Sequence, residues 1–396
     1  LGVPLLGVYA FIGTLFLNAL KMLIVPLIMS AVITGMAGIG RHEGFGRLGL
    51  KTLAYYLLTS LLAILVGLLF VNLLQPGVGM SLGSAGISED LQARVASRSG
   101  ADIIEIFIRM VPPNIVAAAA NGQMLGLIFF SLLFGYFVHR IPAEYAAAQD
   151  AFWQGVYHIM MRITDLVMRF APIGVFGLVA GVVARTGIEQ FAGVGLFFVT
   201  VVLALATHAL VTLPLLLTVL GRVNPWRHFR AMAPAILTAF STSSSAATLP
   251  ITLDCVERRA GVSNRTSSFV LPLGATVNMD GTALYECVAA LFIAQAYGLE
   301  LSFATQFTVV VTALLTSIGV AGIPSASLVA ISVILGAIGL PLEGIGLILV
   351  VDRVLDMLRT SVNVFSDSCG AVIIARSEGE DQVLARPVDE IEAARA

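Results

Sequence analysis

The stretch VDRVLDMLRTSVNVFSDSCG, residues 351–370, sets acids, an arginine and amides into a segment that is otherwise apolar. At about 100° per residue in a helix, Asp352, Asp356, Arg359, Asn363 and Asp367 fall within a narrow arc of one face, with Thr360 at its border. Residues 345–351 and 371–375 on either side are purely apolar, so the stretch is predicted to be a membrane helix carrying one charged stripe. Such a stripe cannot face lipid, where each central charge costs at least a few kcal/mol. It must line a polar cavity.

The rest of the composition agrees. Of 396 residues, 58% are hydrophobic and 12% charged, and the mean hydropathy is +0.95. Charged residues approach a quarter of an ordinary soluble domain, so an all-α polytopic membrane protein is expected. A net charge of −2 gives no reason to expect a nucleic-acid partner. Cys255, Cys287 and Cys369 lie in or beside apolar runs, without the spacing of a zinc site or a disulfide framework, and read as small buried residues. Leu1 stands already in an apolar run, which reads as a missing N-terminal piece, and no cleavable signal peptide is visible.

In order, spans are predicted at 5–40, with Lys21 and Pro26 inside, and at 53–74, followed by an exposed loop over 76–100. Further spans follow at 102–138, broken near Pro112, Pro113 and Asn114, and at 152–183 and 191–220. The pattern then changes. Segments 232–256 and 301–340 are apolar but interrupted by STSSSAATLP and TSIGVAGIP, each with hydroxyl residues, small residues and a proline at its middle. Each suits two half-helices meeting at a tip, and paired interrupted segments are the best sequence pointer to a transporter's substrate site. Between them lies a span, 269–297, with NMDGT at its centre. Placing the basic loops at 41–51, 139–140, 222–230 and 258–265 and the charged, solvated tail 377–396 in the cytoplasm leaves only Arg94, Arg98 and Arg185 outside, and requires both interrupted segments to be re-entrant.

STSSSAATLP (241–250), NMDGTALYE (278–286), SIGVAGIP (317–324) and DRVLDMLRTSVNVFSDS (352–368) resemble the four signature segments of the glutamate transporter family. KTLAYYLLTS (51–60) extends the resemblance through the earlier spans, over nearly the whole chain. The resemblance implies sodium-coupled symport of acidic amino acids, and a multi-pass protein of the plasma (inner) membrane, embedded in the lipid bilayer. It also implies a homotrimer moving by an elevator mechanism, and a fold with two re-entrant helical hairpins and inverted repeats. Mapped on this chain, residues 1–75 hold the family's second and third spans, its first being absent, and 101–220 its fourth to sixth. Hairpins lie at 231–258 and 301–342, a discontinuous seventh span at 264–298 and the eighth at 343–376.

Arg359 is the expected partner of the substrate's side-chain carboxylate, which a guanidinium grips through two charge-assisted bonds. By the resemblance, Asp356 takes the α-ammonium, and Asn363 with the hairpin tips at Ser243, Ser244, Ser245, Ile323 and Pro324 takes the α-carboxylate. Thr282 and Thr360 complete the lining. Sodium needs hard oxygen ligands. The family's sites map to Asp367 with Asn278, Asn363 and the Gly274 carbonyl; to Asp280 with Asn278, Tyr56, Thr59 and Ser60; and to carbonyls near Thr276, Ser317, Ile318 and Val320. No enzymatic cofactor is expected. On a regular helix Asn278 and Asp280 point about 200° apart, so their convergence needs a local unwinding, which Gly281 permits.

Glu286 is a carboxyl in an apolar span, an environment that favours a carried proton. Eukaryotic members of the family have glutamate here and link it to proton co-transport and potassium counter-transport, so coupling to H+ and K+ is expected in addition to sodium. The chain departs from the family at three positions: Ala246 stands in place of the last serine of the first hairpin tip, Ser243 where archaeal members carry an arginine, and Met357 where eukaryotic members do. Arg353 is the expected substitute. His208 reads as a satisfied core histidine rather than a proton relay. A channel would need a repeated carbonyl filter, and an intramembrane hydrolase built on Ser243–Ser245 a nearby base; neither is present in the sequence. Within the transporter class, C4-dicarboxylates fit Asp356 poorly and neutral amino acids fit Arg359 poorly.

Overall fold

The computed structural model describes residues 2–40, 45–80, 108, 110–121, 123–170, 172–174, 176–177, 180, 191–317 and 327–385. Every regular element among them is helical. The helices are α1 (Gly2–Gly40), α2 (Phe45–Leu74), α3 (Ile115–Ala120), α4 (Met124–Val138), α5 (Ala143–Arg169), α6 (Phe191–Thr207), α7 (Pro225–Thr242), α8 (Ser245–Asp254), α9 (Asn264–Val277), α10 (Asp280–Ala296), α11 (Phe303–Ser317), α12 (Ser327–Ile338) and α13 (Ile345–Ser377). α6 continues to Gly221 through two widened, π-type turns at His208–Thr212 and Leu217–Gly221. Segments Arg47–Leu74, Gly193–Gly221 and Asn264–Ala296 are long and apolar enough to cross a membrane.

α10 is apolar nearly all round, and such a helix has to be enclosed. Every residue of it except Gln295 is buried. α2, α6, α11, α12 and α13 pack around it, and α9 and α7 pack on α13. Phe197 and Phe292 stack at 4.5 Å within the core that α6 and α10 share. α1 packs mainly on α4 and α5, through Phe16, Leu23, Leu27, Met160 and Val167, and joins the inner group where Ile28 and Val32 meet Val329 and Val333. Rows of leucine and valine on the outer faces of α2 and α6 stay exposed, including Leu58, Leu65, Leu69, Leu203, Leu210 and Val219.

The first predicted interruption has a structural counterpart among the described residues. α7 stops at Thr242 because Ser243 takes a left-handed conformation (φ 51°), and Ser244 turns extended to cap α8, accepting a bond from the Ala247 N–H. The two helices then pack on each other, and α11 and α12 do the same around residues 318–326. The expected site residues Ile318, Val320, Ile323 and Pro324 lie outside the described residues. α5 begins well before the expected 152, because AEYAAAQDA (143–151) is rich in helix-forming alanine while lacking the hydropathy that marks a span.

The tail departs from the expected solvated end. Val383 and Leu384 are buried in the core shared by α7, α9 and α13, and the Leu384 N–H donates to the Ala260 carbonyl. Arg227 donates to the carbonyls of Leu384 and Ala385, and Lys51 pairs with Glu378. The Lys51 bond holds the Glu378 carboxyl below its usual range. Glu380 accepts bonds from the Ser263 N–H (2.8 Å), the Ser263 hydroxyl (2.7 Å) and the Thr266 hydroxyl (2.6 Å), closing the N-terminus of α9. Partial burial disfavours the charged Glu380, but these bonds outweigh it, so its carboxyl too is held below the usual value. A depressed carboxylate pKa contributes stability above the unfolded value of about 4.3 and loses it as pH falls through the folded one. Glu380→Ala should lower stability by about 1 kcal/mol at pH 7, and the gap to the wild type should close below about pH 4, both read by thermal unfolding across pH.

Candidate functional site

The charged stripe of α13 lies entirely inside the protein. The Arg359 guanidinium is fully buried; its Nη2 donates to Asp356 Oδ1 (2.7 Å) and its Nη1 to Asp352 Oδ1 (3.1 Å), while Nε has no partner among the described residues. Tyr285 of α10 completes the holder. Its ring lies under the guanidinium, 3.9 Å from centroid to Cζ, and its hydroxyl donates to Asp352 Oδ1 at 2.9 Å. A cation over an aromatic face gains about 2 kcal/mol once desolvated. Arg353 is mostly exposed, yet its Nη1 lies 3.9 Å from Asp356 Oδ2, so Asp356 stands between two arginines. Thr360 donates back to the Asp356 carbonyl.

One turn further along, Asn363 reads α10 directly. Its Oδ1 accepts the Gly281 N–H (2.8 Å) and its Nδ2 donates to the Thr282 hydroxyl (3.1 Å). The unwinding expected beside Asn278 is present, but at Asn278 and Met279 themselves, which leave helical geometry between α9 and α10. Gly281 lies inside α10 and serves another purpose. A Cβ on it would come within 2.7 Å of the Arg359 carbonyl oxygen, so glycine lets α10 and α13 touch.

The break aims polar groups from three elements at one place. Asn278 Nδ2 donates to Asp367 Oδ1 (2.9 Å) and to the Ser366 hydroxyl (3.1 Å), and the Thr59 hydroxyl donates to Asn278 Oδ1 (3.3 Å). Asp280 accepts from Ser60 (2.8 Å) and from Ser366 (2.5 Å). Tyr56 reaches the same region, donating to the Val270 carbonyl at 2.6 Å. A Cβ on Gly274 would sit 2.5 Å from Asp367 Oδ1 and 2.7 Å from the Tyr56 hydroxyl oxygen, so the bare glycine forms one wall of an oxygen-lined cradle. Carboxylate, hydroxyl and carbonyl oxygens in this arrangement suit a hard cation. The third expected cation site is only partly described: Ser317 is buried and bonded to the Leu314 carbonyl, and Thr276 is exposed and bonded to the Leu273 carbonyl.

Glu286 is fully buried on α10, where Thr316 of α11 donates to its Oε2 at 2.9 Å and Oε1 has no partner among the described residues. Ser243 and Ser245 are buried at the turn between α7 and α8, with the Ser243 hydroxyl unpartnered among the described residues, while Ser244 is half-buried.

Four contributors escaped sequence reasoning: Tyr285, Ser366, Thr316 and the full role of His208. His208 is a buried histidine, as expected, and the partner that sequence did not name is Asp280, whose Oδ2 lies 3.2 Å from its Nε2. A histidine in an apolar run was the available signal for it. Tyr285, Ser366 and Thr316 gave none, because hydroxyl residues in membrane helices ordinarily bond to their own backbone.

The Sodium:dicarboxylate symporter family matches residues 4–377. The "Proton/glutamate-aspartate symporter" of Escherichia coli (strain K12) is 36% identical over 370 residues, covering 92% of this chain and 84% of that protein. The "Proton/sodium-glutamate symport protein" of Bacillus caldotenax is 35% identical over 372 residues, 93% of this chain and 87% of its own. Human "Excitatory amino acid transporter 3" is 35% identical over 422 residues, 93% and 79% respectively. Removing one partner of a buried ion pair typically costs 3–5 kcal/mol, so Asp352→Asn should destabilise the purified protein by about 3 kcal/mol in thermal unfolding, and Tyr285→Phe by about 1 kcal/mol.

Proposed function

The chain belongs to the Sodium:dicarboxylate symporter family, a family of transporters and not of enzymes, and we propose that this member is a sodium-driven symporter of glutamate or aspartate. The observation that carries the substrate class is the buried Arg359–Asp356 pair: one site for a carboxylate and one for an ammonium, adjacent on one helix. In the free protein these groups neutralise each other. An acidic amino acid brings both opposite charges, so its side-chain carboxylate takes the guanidinium from Asp356 while its ammonium takes Asp356. The side-chain carboxylate and the ammonium each keep an opposite partner through that exchange, which lowers its cost in a low-dielectric interior, and the α-carboxylate is left to hydrogen-bond donors. Asn363, Thr282 and Thr360 stand beside the pair for the α-carboxylate and the lining, with Ser243, Ser244 and Ser245 at the first hairpin tip.

Asp367, Asn278, Asn363 and Gly274 form one sodium site in this reading, and Asp280 with Asn278, Tyr56, Thr59 and Ser60 another. The relatives' names, with proton and sodium in them, support the cations. Glu286 is the proton carrier. It is buried, has one oxygen unpartnered among the described residues, and contacts α11, the first arm of the second interrupted segment. Potassium counter-transport, the homotrimer, re-entrant hairpins, an elevator motion and residence in the plasma membrane belong to the same reading.

Uptake of labelled aspartate and glutamate into proteoliposomes, with sodium, proton and potassium gradients varied one at a time, tests it. A symporter concentrates the amino acid under an inward sodium gradient alone; simple equilibration would sink the proposal. Arg359→Cys should lower uptake of acidic amino acids by at least about 100-fold while admitting neutral ones, since a charge-assisted bidentate contact of about 3 kcal/mol is lost. Glu286→Gln should leave sodium-driven uptake measurable and flatten its response to external pH between 5.5 and 8.5, the range over which the wild type is to be compared.

A further inference from the structure

Opposite the strap formed by residues 378–385, where α2 and α10 end and α11 begins, lies a cavity of about 390 Å³ that plays no part in the site described above. That volume is in the range of small-molecule sites. Its polar wall is made by carboxamides from three elements. Asn72 donates to Gln306 Oε1 (3.0 Å); Gln295 accepts the Gly77 N–H (3.1 Å) and donates to the Val71 carbonyl (3.2 Å); Gln306 donates to the Leu301 carbonyl (3.1 Å). Asn72 spends both of its N–H groups, on the Leu68 carbonyl and on Gln306, while Gln295 and Gln306 spend one each, and each amide oxygen retains a lone pair for a donor from a ligand. Glu300, on the rim, makes no ion pair with a described residue, and among the described residues no lysine, arginine or histidine lines the cavity. Two helix C-termini, those of α2 and α10, also end here, adding negative partial charge. The N-terminus of α11, which would oppose that field, has its Thr305 N–H occupied by the Ser302 hydroxyl. Leu291 and Leu299 supply an apolar floor.

From this chemistry we infer a second, modulatory ligand site, which binds a small organic cation: an ammonium held by Glu300 and the amide oxygens, on an apolar body resting against Leu291 and Leu299. A ligand there bridges α2 and α10 to α11, so it restrains the first arm of the second interrupted segment without touching Arg359. This inference stands apart from the transport reading, because its primary test is binding.

The probe is benzylamine, compared with benzyl alcohol, its uncharged analogue of the same size, in thermal unfolding of the purified full chain. Benzylamine should stabilise the protein saturably and bind about tenfold more tightly than the alcohol, the ratio expected for one charge-assisted contact. Glu300→Gln should bring benzylamine to the alcohol's affinity, while Gln306→Glu, which places a second carboxylate in the wall, should tighten it. Aspartate should not displace the probe. The inference is overturned by equal binding of the two probes, by an affinity unchanged in Glu300→Gln, by absence of saturable stabilisation, or by displacement with aspartate, which would put the probe at Asp356.

Discussion

A fully buried guanidinium constrains the structure around it. Arg359 cannot lose its proton and cannot stay in an apolar interior alone, so two carboxylates and an aromatic face must be brought to it. Asp352 and Asp356 come from its own helix, at the spacings that place them on one face. Tyr285 comes from α10, and with it comes the requirement that α10 lie against α13 along its length. The largely apolar surface of α10 allows that contact, and Gly281 makes it close, since any side chain there would meet the Arg359 backbone. The ion cluster and the packing of the central helices are thus one arrangement.

The same close approach explains the interruption between α9 and α10. A continuous helix would carry Asn278 and Asp280 to opposite sides, whereas two residues out of helical geometry turn both toward α13 and α2. Ser366 then ties the groups together, accepting from Asn278 and donating to Asp280. Ser60 and Thr59, one turn past Tyr56 on α2, add their hydroxyls from a helix whose outer face is exposed leucine. A helix of this kind is polar for a few residues on one side only, and that side marks the site.

Much of this was legible from residue type and spacing. A charged stripe in an apolar segment admits no lipid-facing solution, so 352–367 declared itself, as did the serine-rich turn at 243–244, where the left-handed residue falls in the expected interruption. What escaped was of two kinds. Contacts made by ordinary hydroxyls, such as Tyr285 to Asp352 and Thr316 to Glu286, depend on which helix lies alongside, and helix periodicity carries no such information. The buried tail escaped for the opposite reason: its charges dominate its composition, while its burial rests on two apolar side chains, Val383 and Leu384, and two of its acids, Glu378 and Glu380, are engaged by Lys51, Ser263 and Thr266 rather than by solvent. Gly281 was singled out correctly and explained wrongly, because a glycine that frees the backbone and a glycine that lets another backbone approach look alike in a sequence.

The two polar clusters differ in charge balance, and that difference bears on coupling. Around Arg359, the acids Asp352 and Asp356 face one buried guanidinium and one partly exposed one at Arg353. Around Asn278, Asp280 and Asp367 have no lysine or arginine partner among the described residues, only amide and hydroxyl donors and His208. Buried carboxylates without a compensating cation are costly, and hydrogen bonds offset only part of that cost. On the proposed reading the first cluster, complete in itself, exchanges partners with an acidic amino acid, whereas the second is completed by cations from solution. Asn363 links them, with Gly281 and Thr282 of α10 on its amide and Arg359 one turn away on its own helix. On the proposed reading, filling the cation cluster fixes the 278–282 backbone that Asn363 holds, and so fixes the frame in which an acidic amino acid meets Arg359. Coupling then needs no long-range path, since the same five residues of backbone serve both clusters.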